Sequence, residues 1–373
     1  MAFAYTPGLR VASVTEILKE RRLPLAGETL VNVGDSVTGE TVVARTELPG
    51  NVKMMNIANI MGMPPGDIPE LLFKNEGDPL EENEPIGQTK GLFGLFKNTV
   101  RSPIKGTFES YNHITGQAVL REPPIPVEID AYIKGTVSEI LENEGVIIKA
   151  TATFVQGIFG IGGETRGELK VCADSPEQEL TGDLIDESCR GKILLGGSFV
   201  SYETLKKAIA TGVKAIIVGG FDDKDLKEFL GYDLGVAITG HEKKGITLIL
   251  TEGFGRMTMA HGTFDLLRSR KGMLTSVNGA TQIRAGVMRP ELVIPVDKTL
   301  SDIGSDKQAG AMDIGSPIRC IRAPYFGKLG KVAALPAELQ VLDSEAHVRV
   351  LEVEFENGET ATVPRANVEL IEE

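Results

Sequence analysis

The sequence predicts a multi-domain protein in which all-β units flank a central α/β domain with a mostly parallel sheet. At 373 residues the chain is too long for one ordinary hydrophobic core, so several folding units are expected. Apolar and polar residues alternate between Gly-Asp turns in the first third of the chain, and alternate again near its C-terminus. From residue 191 short apolar runs instead alternate with amphipathic helical stretches, which is typical of parallel strands joined by helices.

The composition narrows the class of protein. With 42% hydrophobic and 24% charged residues, the chain has the composition of an ordinary globular protein. Its first residues lack the basic start, apolar run and small-residue cleavage site of a secretory leader, and no stretch approaches the roughly eighteen apolar residues of a membrane span. We therefore expect a cytoplasmic protein without a membrane partner. The formal net charge of −13 opposes binding to phosphate backbones, so nucleic acid is the less favoured partner.

The cysteines and histidines do not have the spacing of a metal site. Cys172, Cys189 and Cys320 are far apart and form no C-x-x-C pair. No two of the four histidines stand at the i, i+4 spacing that places zinc ligands on one helix face. The sequence therefore predicts reduced thiols, no metal and no bound cofactor.

The N-terminal part divides into a lead-in and a β region. Residues 1–25 are predicted to hold one helix, at residues 13–22, and residues 26–169 are predicted to form strands. The turn pattern recurs weakly along this region, in the phrases "GETLVNVGDSVTGETVVARTELPG", "FKNEGDPLEENEPIGQTKG" and "VRSPIKGTFESYNHITGQAVLREP".

The pattern GD-x-[VL]-x-x-[GN]-E-x-[VI], followed by SP-x-x-G-T, resembles the barrel-sandwich hybrid fold of biotinyl and lipoyl domains over roughly residues 26–123. Carrier members of that family hold their cofactor on a lysine at a hairpin tip, within a Met-Lys-Met sequence where the cofactor is biotin. Here the nearest phrase is "GNVKMMNIANI", in which Lys53 precedes Met54 but the first methionine is missing. The chain is therefore more similar to the non-carrier members, which sit inside larger assemblies, and Lys53 is interpreted as a surface lysine.

Two further segments of the β region have open interpretations. The phrase "KGLFGLFKN" predicts either an exposed interaction tip or a plug in the barrel's own end, formed by Leu92, Phe93, Leu95 and Phe96. The phrase "GIFGIGGETRG" lacks the Gly-Lys-Ser/Thr ending of a phosphate-binding loop. Its glycines therefore favour a bulged hairpin or close strand packing over a phosphate site.

Residues 170–296 are predicted to form the α/β domain. Its strands are "KILLGG", "KAIIVGG", "GVAITG" and "ITLILTEGFG", and its helices are "YETLKKAIATG", closed by Gly212, "DKDLKEFLG", closed by Gly231, and a segment near 257–270. The run from Cys189 to Gly220 resembles the swivelling or protease-associated type of β/α domain, which implies docking against partners and lids.

Ligands of open parallel sheets bind beyond the carboxyl ends of the strands, where this domain carries glycines and acidic residues. The candidate ligand-binding residues are Gly219, Gly220, Asp222, His241, Glu242, Glu252, Gly253 and Gly255. The alternative is that these residues only cap helices and form turns, with Asp222 as an N-cap. No nucleophile elbow or complete G-x-G-x-x-G is present, so we assign no catalytic residue.

A linker at 297–314 precedes the last predicted domain, 315–373. Gly315, Val332, the turn "PYFGKLGK" and the closing "VPRANVELI" resemble a KOW motif in an SH3-like barrel, as in bacterial transcription elongation factors and certain ribosomal proteins. The resemblance implies a docking or nucleic-acid surface around the turn. The residues that would form it are Arg319, Arg322, Tyr325, Phe326, Lys328 and Lys331. Because acidic residues outnumber basic ones in this domain, protein docking is favoured over nucleic acid.

These modules together predict a non-catalytic scaffold, adaptor or self-assembling structural subunit of a cytoplasmic complex, with protein partners or self-association. One alternative is an RNA- or transcription-associated accessory factor that binds through the KOW turn. Another is an enzyme or metabolite-binding protein that uses the α/β crevice.

Overall fold

The computed structural model describes residues 9–90, 97–231, 244–281, 288–297, 312–320, 324–325, 328–336, 339–341, 347–355 and 358–372. The chain is mostly β, with several sheets and one mixed sheet that contains parallel strands, which confirms the predicted fold class in outline. Within the described ranges no helix has the length and hydropathy needed to cross a membrane.

The first β unit is interrupted in the sequence by an inserted module. Its strands are β1 (Leu9–Arg22), β2 (Glu28–Thr29), β3 (Ser36–Val37) and β4 (Val42–Leu48). The insertion holds β5 (Val52–Asn56), α1 (Ile57–Met61), β6 (Pro79–Leu80), β7 (Pro85–Gln88), β8 (Thr99–Arg101), β9 (Gly106–Tyr111) and β10 (Gln117–Arg121). The unit then resumes with β11 (Ile125–Asp130), β12 (Gly135–Leu141) and β13 (Gly145–Gln156).

The prediction of a helix at residues 13–22 is wrong, because this segment lies in β1 and pairs antiparallel with β13 along its length. From Ile17 onward the side chains alternate between core and solvent. Lys19 lies 2.5 Å from the carboxylate of Glu291, and the Arg21 guanidinium contacts Glu164 at 2.7 Å. The charge-rich run favours a helix by local propensity, but these distant acidic partners stabilise it as a strand.

Strands β4 and β11 form an antiparallel ribbon through which the chain leaves the first unit and returns to it. Residues 50–122, here called the nested module, lie between the two strands and have a core of their own. That core includes Ile57, Leu80, Phe108 and Leu120, each 2% exposed or less. The nested module is therefore a separately packed unit, joined to the body by two strands.

The nested module repeats the unit that encloses it. In both of the turns 32–35 and 75–78, the asparagine N–H donates to the carboxylate of the aspartate three residues later, at 2.8 and 2.7 Å. The glycine between them has a φ of 93° in one copy and 91° in the other, a conformation that favours glycine. The strands that follow, β3 and β6, pair antiparallel with the starts of β12 and β9, at Gly135 and Gly106. The weak sequence repeats are thus two copies of one structural unit.

Replacing Asp35 or Asp78 with alanine is expected to lower the free energy of unfolding by about 1 kcal/mol in each case, because each change removes the acceptor of one turn N–H. Urea unfolding of the two variants measures this loss. Glu82→Ala is the control, since this exposed glutamate lies in the turn next to β6 and its carboxylate has no described hydrogen bond. A loss in only one of the two aspartate variants would contradict the equivalence of the turns, and no loss in either would contradict the role assigned to the two carboxylates.

The α/β unit continues the same large sheet. Its elements are β14 (Phe159–Ile161), β15 (Glu164–Val171), β16 (Ile193–Leu195), α2 (Tyr202–Thr211), β17 (Ala215–Phe221), α3 (Asp223–Leu230), β18 (Thr247–Phe254), α4 (His261–Ser269), β19 (Leu274–Asn278) and β20 (Glu291–Pro295). Strands β15, β16, β17 and β18 are parallel, and β14 joins β18 antiparallel. Helices α2 and α3 pack on one face of this sheet and α4 packs on the other.

Helices α2 and α3 confirm the predicted elements and their ends. Ser201 and Asp222 cap their N-termini, and Gly212 and Gly231 close them in the left-handed conformation. The predicted boundary between residues 169 and 170 falls inside β15, and β13 pairs with β20 across it. The first β unit and the α/β unit therefore share a sheet.

The C-terminal unit, residues 312–372, is all β in its described parts apart from one short 3-10 turn. Its strands are β21 (Pro317–Cys320), β22 (Leu329–Ala334), β23 (Leu339–Val341), β24 (His347–Phe355), β25 (Thr360–Pro364) and β26 (Val368–Glu372). Strand β21 pairs antiparallel with β22 and β26. Strand β26 also pairs parallel with the start of β1, at Leu9 and Ile371. The N-terminal and C-terminal strands of the described chain therefore meet in one sheet.

Candidate functional site

The strand ends that sequence patterns assign to a ligand are covered by the chain's own backbone. A Cβ placed on Gly219 would overlap the carbonyl oxygen of Met257, and one placed on Gly220 would overlap that of Gly255. A Cβ on Gly197 would likewise overlap the carbonyl oxygen of Gln178. These glycines therefore admit two loops that pack directly on the carboxyl ends of β16 and β17.

The other described crevice residues near β17 and β18 have local structural roles. The Asp222 carboxylate accepts the N–H of Lys224 at 2.8 Å, which confirms the alternative interpretation of this residue as an N-cap. Gly253 and Gly255 have φ of 150° and 94°, which side chains disfavour. His241 and Glu242 lie outside the described residues.

Glu252 and Arg319, which sequence patterns place in two different sites, form one buried ion pair. The residues are 5% and 1% exposed, and an Arg319 guanidinium nitrogen lies 3.0 Å from the Glu252 carboxylate. The same nitrogen donates to the backbone carbonyls of Thr251 and Glu252, at 2.8 Å each. The second carboxylate oxygen accepts the N–H of Ala260 at 3.0 Å. Arg319 therefore joins the C-terminal unit to β18 and is not part of an exposed surface.

Tyr325 and Lys328, in the turn predicted to form a docking surface, make packing contacts within the C-terminal unit. The ring of Tyr325 lies 5.2 Å from the ring of Phe355, measured between centroids. Lys328 lies 3.3 Å from the Glu359 carboxylate and 4.9 Å from the centroid of Phe355. Lys331 is exposed on β22. Arg322 and Phe326 lie outside the described residues, so the basic surface described at this turn consists of Lys328 and Lys331.

The three cysteines are free thiols. Burial, together with the nearby Cys189 thiol, raises the pKa of the Cys172 thiol to about 12. The Lys170 ammonium lies 3.1 Å from the Cys189 sulfur. In the part of the chain that the structure describes, no three His, Cys, Asp or Glu side chains form a group that could hold a metal ion.

The proposed interaction tip lies in the sequence between strands β7 and β8 of the nested module. Strands β7 and β8 pair antiparallel, and Thr89 and Asn98 extend the pairing with a 3.0 Å backbone hydrogen bond. Leu92, Phe93, Leu95 and Phe96 lie outside the described residues.

Lys53 lies within β5 opposite Leu120, and a strand interior is not the hairpin tip that a carrier lysine requires.

Sequence patterns did not indicate an apolar patch at one end of the nested module. Met54, Ile60 and Ile114, here called the apolar patch, are 65%, 49% and 89% exposed. The start of α1 is hydrogen-bonded to the turn between β9 and β10, which contains Ile114. One of these bonds, 3.3 Å long, runs from the Ala58 N–H to the Gly116 carbonyl. The sequence carries little signal for this patch, because the exposed Met54 follows the exposed Val52 and Lys53 on β5 without a core pattern, and Ile60 and Ile114 lie in other elements.

Most of the predicted site residues that the structure describes therefore have structural roles. No family model matches the chain, and the comparison with curated proteins finds no relative. Among the described residues, the exposed groups that could bind a partner include the apolar patch and the two lysines of the C-terminal unit.

Proposed function

We propose that the protein is a non-catalytic scaffold or adaptor subunit that docks a partner protein through its nested module. The observation that carries this proposal is the apolar patch: three large apolar side chains, Met54, Ile60 and Ile114, are exposed at one end of a separately packed module. Clustered apolar exposure marks contact surfaces in soluble proteins. The ribbon of β4 and β11 provides a connection that sets this surface apart from the body.

The resemblances seen in the sequence support the same assignment. Residues 26–123, which include the nested module, resemble the non-carrier barrel-sandwich hybrids that sit inside larger assemblies. The C-terminal unit is similar to KOW barrels that dock proteins, and here its Arg319 is used to join two units of the same chain. We infer that both modules hold parts together and that neither performs a reaction.

The partner we propose is a different protein with an apolar surface bordered by carboxylates. Copies of this chain repel one another, because each carries a formal net charge of −13. In the sequence Lys90 and Lys97 flank the apolar interaction tip, and such cations favour an acidic rim on the partner.

A double substitution in the apolar patch, Met54→Glu with Ile114→Glu, is expected to release the partner without unfolding the protein. Both side chains are exposed, so their replacement leaves the core intact. The measurement is size-exclusion chromatography with light scattering on protein purified gently from its native cell extract, read at 260 and 280 nm. The parent protein should elute in a complex well above the 40.0 kDa of one chain, and the variant at that mass.

The control is Ile314→Glu, which adds one glutamate, against two in the double variant, at a 71% exposed residue outside the nested module and should retain the complex. A parent protein of 40.0 kDa, or a complex that survives the double substitution, would contradict the proposal. Excess absorbance at 260 nm that salt removes would instead favour nucleic-acid binding at Lys328 and Lys331.

A further inference from the structure

A cavity of about 760 Å³ lies where β1, the start of α4 and the C-terminal unit meet. Two contacts hold the walls of the cavity together. Arg319 of β21 pairs with Glu252 of β18, and β26 pairs with β1. The cavity has the size of pockets that bind small organic ligands, and such pockets are common where folding units meet.

The walls of the cavity are largely apolar. Val11 of β1 and Leu266 of α4 form one side, and Ile318, Leu329 and Phe355 of the C-terminal unit form the other. An apolar wall of this kind stabilises the body of an organic ligand by removing its surface from water.

The polar groups of the cavity indicate which charge the ligand carries. Lys331 and Glu354 are exposed and lie opposite each other on β22 and β24, and both line the cavity. Within the described residues neither side chain has a recorded hydrogen bond or ion pair. Helix α4 starts at the facing wall. The Glu252 carboxylate accepts the Ala260 N–H, but His261, Gly262 and Thr263 of the first helical turn also line the cavity, so their N–H groups and the positive end of the helix add to the charge of Lys331.

We propose that this cavity binds an organic anion with an apolar body, such as an aryl sulfonate or a medium-chain carboxylate, whose charged group contacts Lys331. Glu354 then lies close enough to repel the same group. The site does not depend on partner docking, because the apolar patch and the cavity share no residue.

Titration of the full-length protein with 1-anilinonaphthalene-8-sulfonate, followed by fluorescence, tests this site. We expect one saturable site per chain, competition by decanoate, and opposite effects of two charge changes. Lys331→Gln should raise the dissociation constant about fivefold, and Glu354→Gln should lower it by a similar factor. Because both residues are exposed, neither change should alter the thermal midpoint of the unliganded protein.

Gly262→Leu provides the variant that fills the cavity. Gly262 lines the space, and a Cβ placed there has no atom within 4 Å, so a larger side chain can start at this position without a clash. Loss of the saturable site in this variant, with an unchanged or raised thermal midpoint, supports the proposal. Absence of a saturable site in the parent protein, unchanged binding in Gly262→Leu, or equal affinities of the two charge variants would overturn it.

Discussion

Replacing Arg319 with methionine is expected to lower the free energy of unfolding by about 3–5 kcal/mol, because it leaves the Glu252 carboxylate charged and buried without its partner. Arg319 is 1% exposed and also donates hydrogen bonds to two backbone carbonyls of β18. Water does not reach this site, so it does not replace the hydrogen bonds that the substitution removes. Urea unfolding followed by circular dichroism measures the loss.

The double variant Arg319→Met with Glu252→Gln separates the ion pair from simple packing. Neither side chain then carries a charge, so the double variant should be more stable than the sum of the two single losses implies. Lys134→Met is the matched control, because Lys134 and Asp297 form a pair at 3.3 Å whose side chains are 62% and 95% exposed. Its loss should stay below about 0.5 kcal/mol.

Gly219→Ala is the second substitution with a large expected effect, a loss of about 3 kcal/mol or failure to accumulate folded protein. The added methyl group would overlap the backbone carbonyl oxygen of Met257, and a backbone in a packed loop has little room to move. The φ of Gly219 is not in the left-handed range, so the loss of stability comes from the steric overlap alone. Thermal unfolding of purified protein measures it.

Gly163→Ala is the control for this prediction, since a Cβ there meets no atom within 4 Å. It should leave the thermal midpoint almost unchanged. If Gly219 instead lined an open ligand crevice, alanine would fit as well at Gly219 as at Gly163. Equal stability of the two variants would therefore restore the ligand-binding interpretation of the strand ends.

Local chemistry allowed the α/β unit to be predicted from the sequence. Helix α3 is bounded by Asp222 and Gly231, because the Asp222 carboxylate accepts an N-terminal N–H and Gly231 adopts the left-handed closing conformation. The same type of reasoning failed for β1. Its charged residues resemble an exposed helix until Glu164 and Glu291, more than a hundred residues away, are seen to lie beside Arg21 and Lys19.

The candidate site depended even more on contacts between distant residues. The Glu252–Arg319 pair joins positions 67 residues apart, and no spacing rule connects them. The glycines at the end of β17 look alike in sequence whether they admit a ligand or a backbone, and only the positions of Met257 and Gly255 distinguish these cases. The nested repeat was visible as turn residues, but its insertion into the first unit became clear only from the pairing of β4 with β11.

Hydrogen exchange measured by mass spectrometry on the intact protein tests most directly whether Arg319 fixes the C-terminal unit to the body. Peptides that cover β21 and the end of β18 should both exchange slowly in the parent protein, and both should lose protection together in Arg319→Met. Fast exchange of β21 in the parent protein beside a protected β18 would contradict this account. The C-terminal unit would then move freely, and Arg319 would again be available as a docking residue.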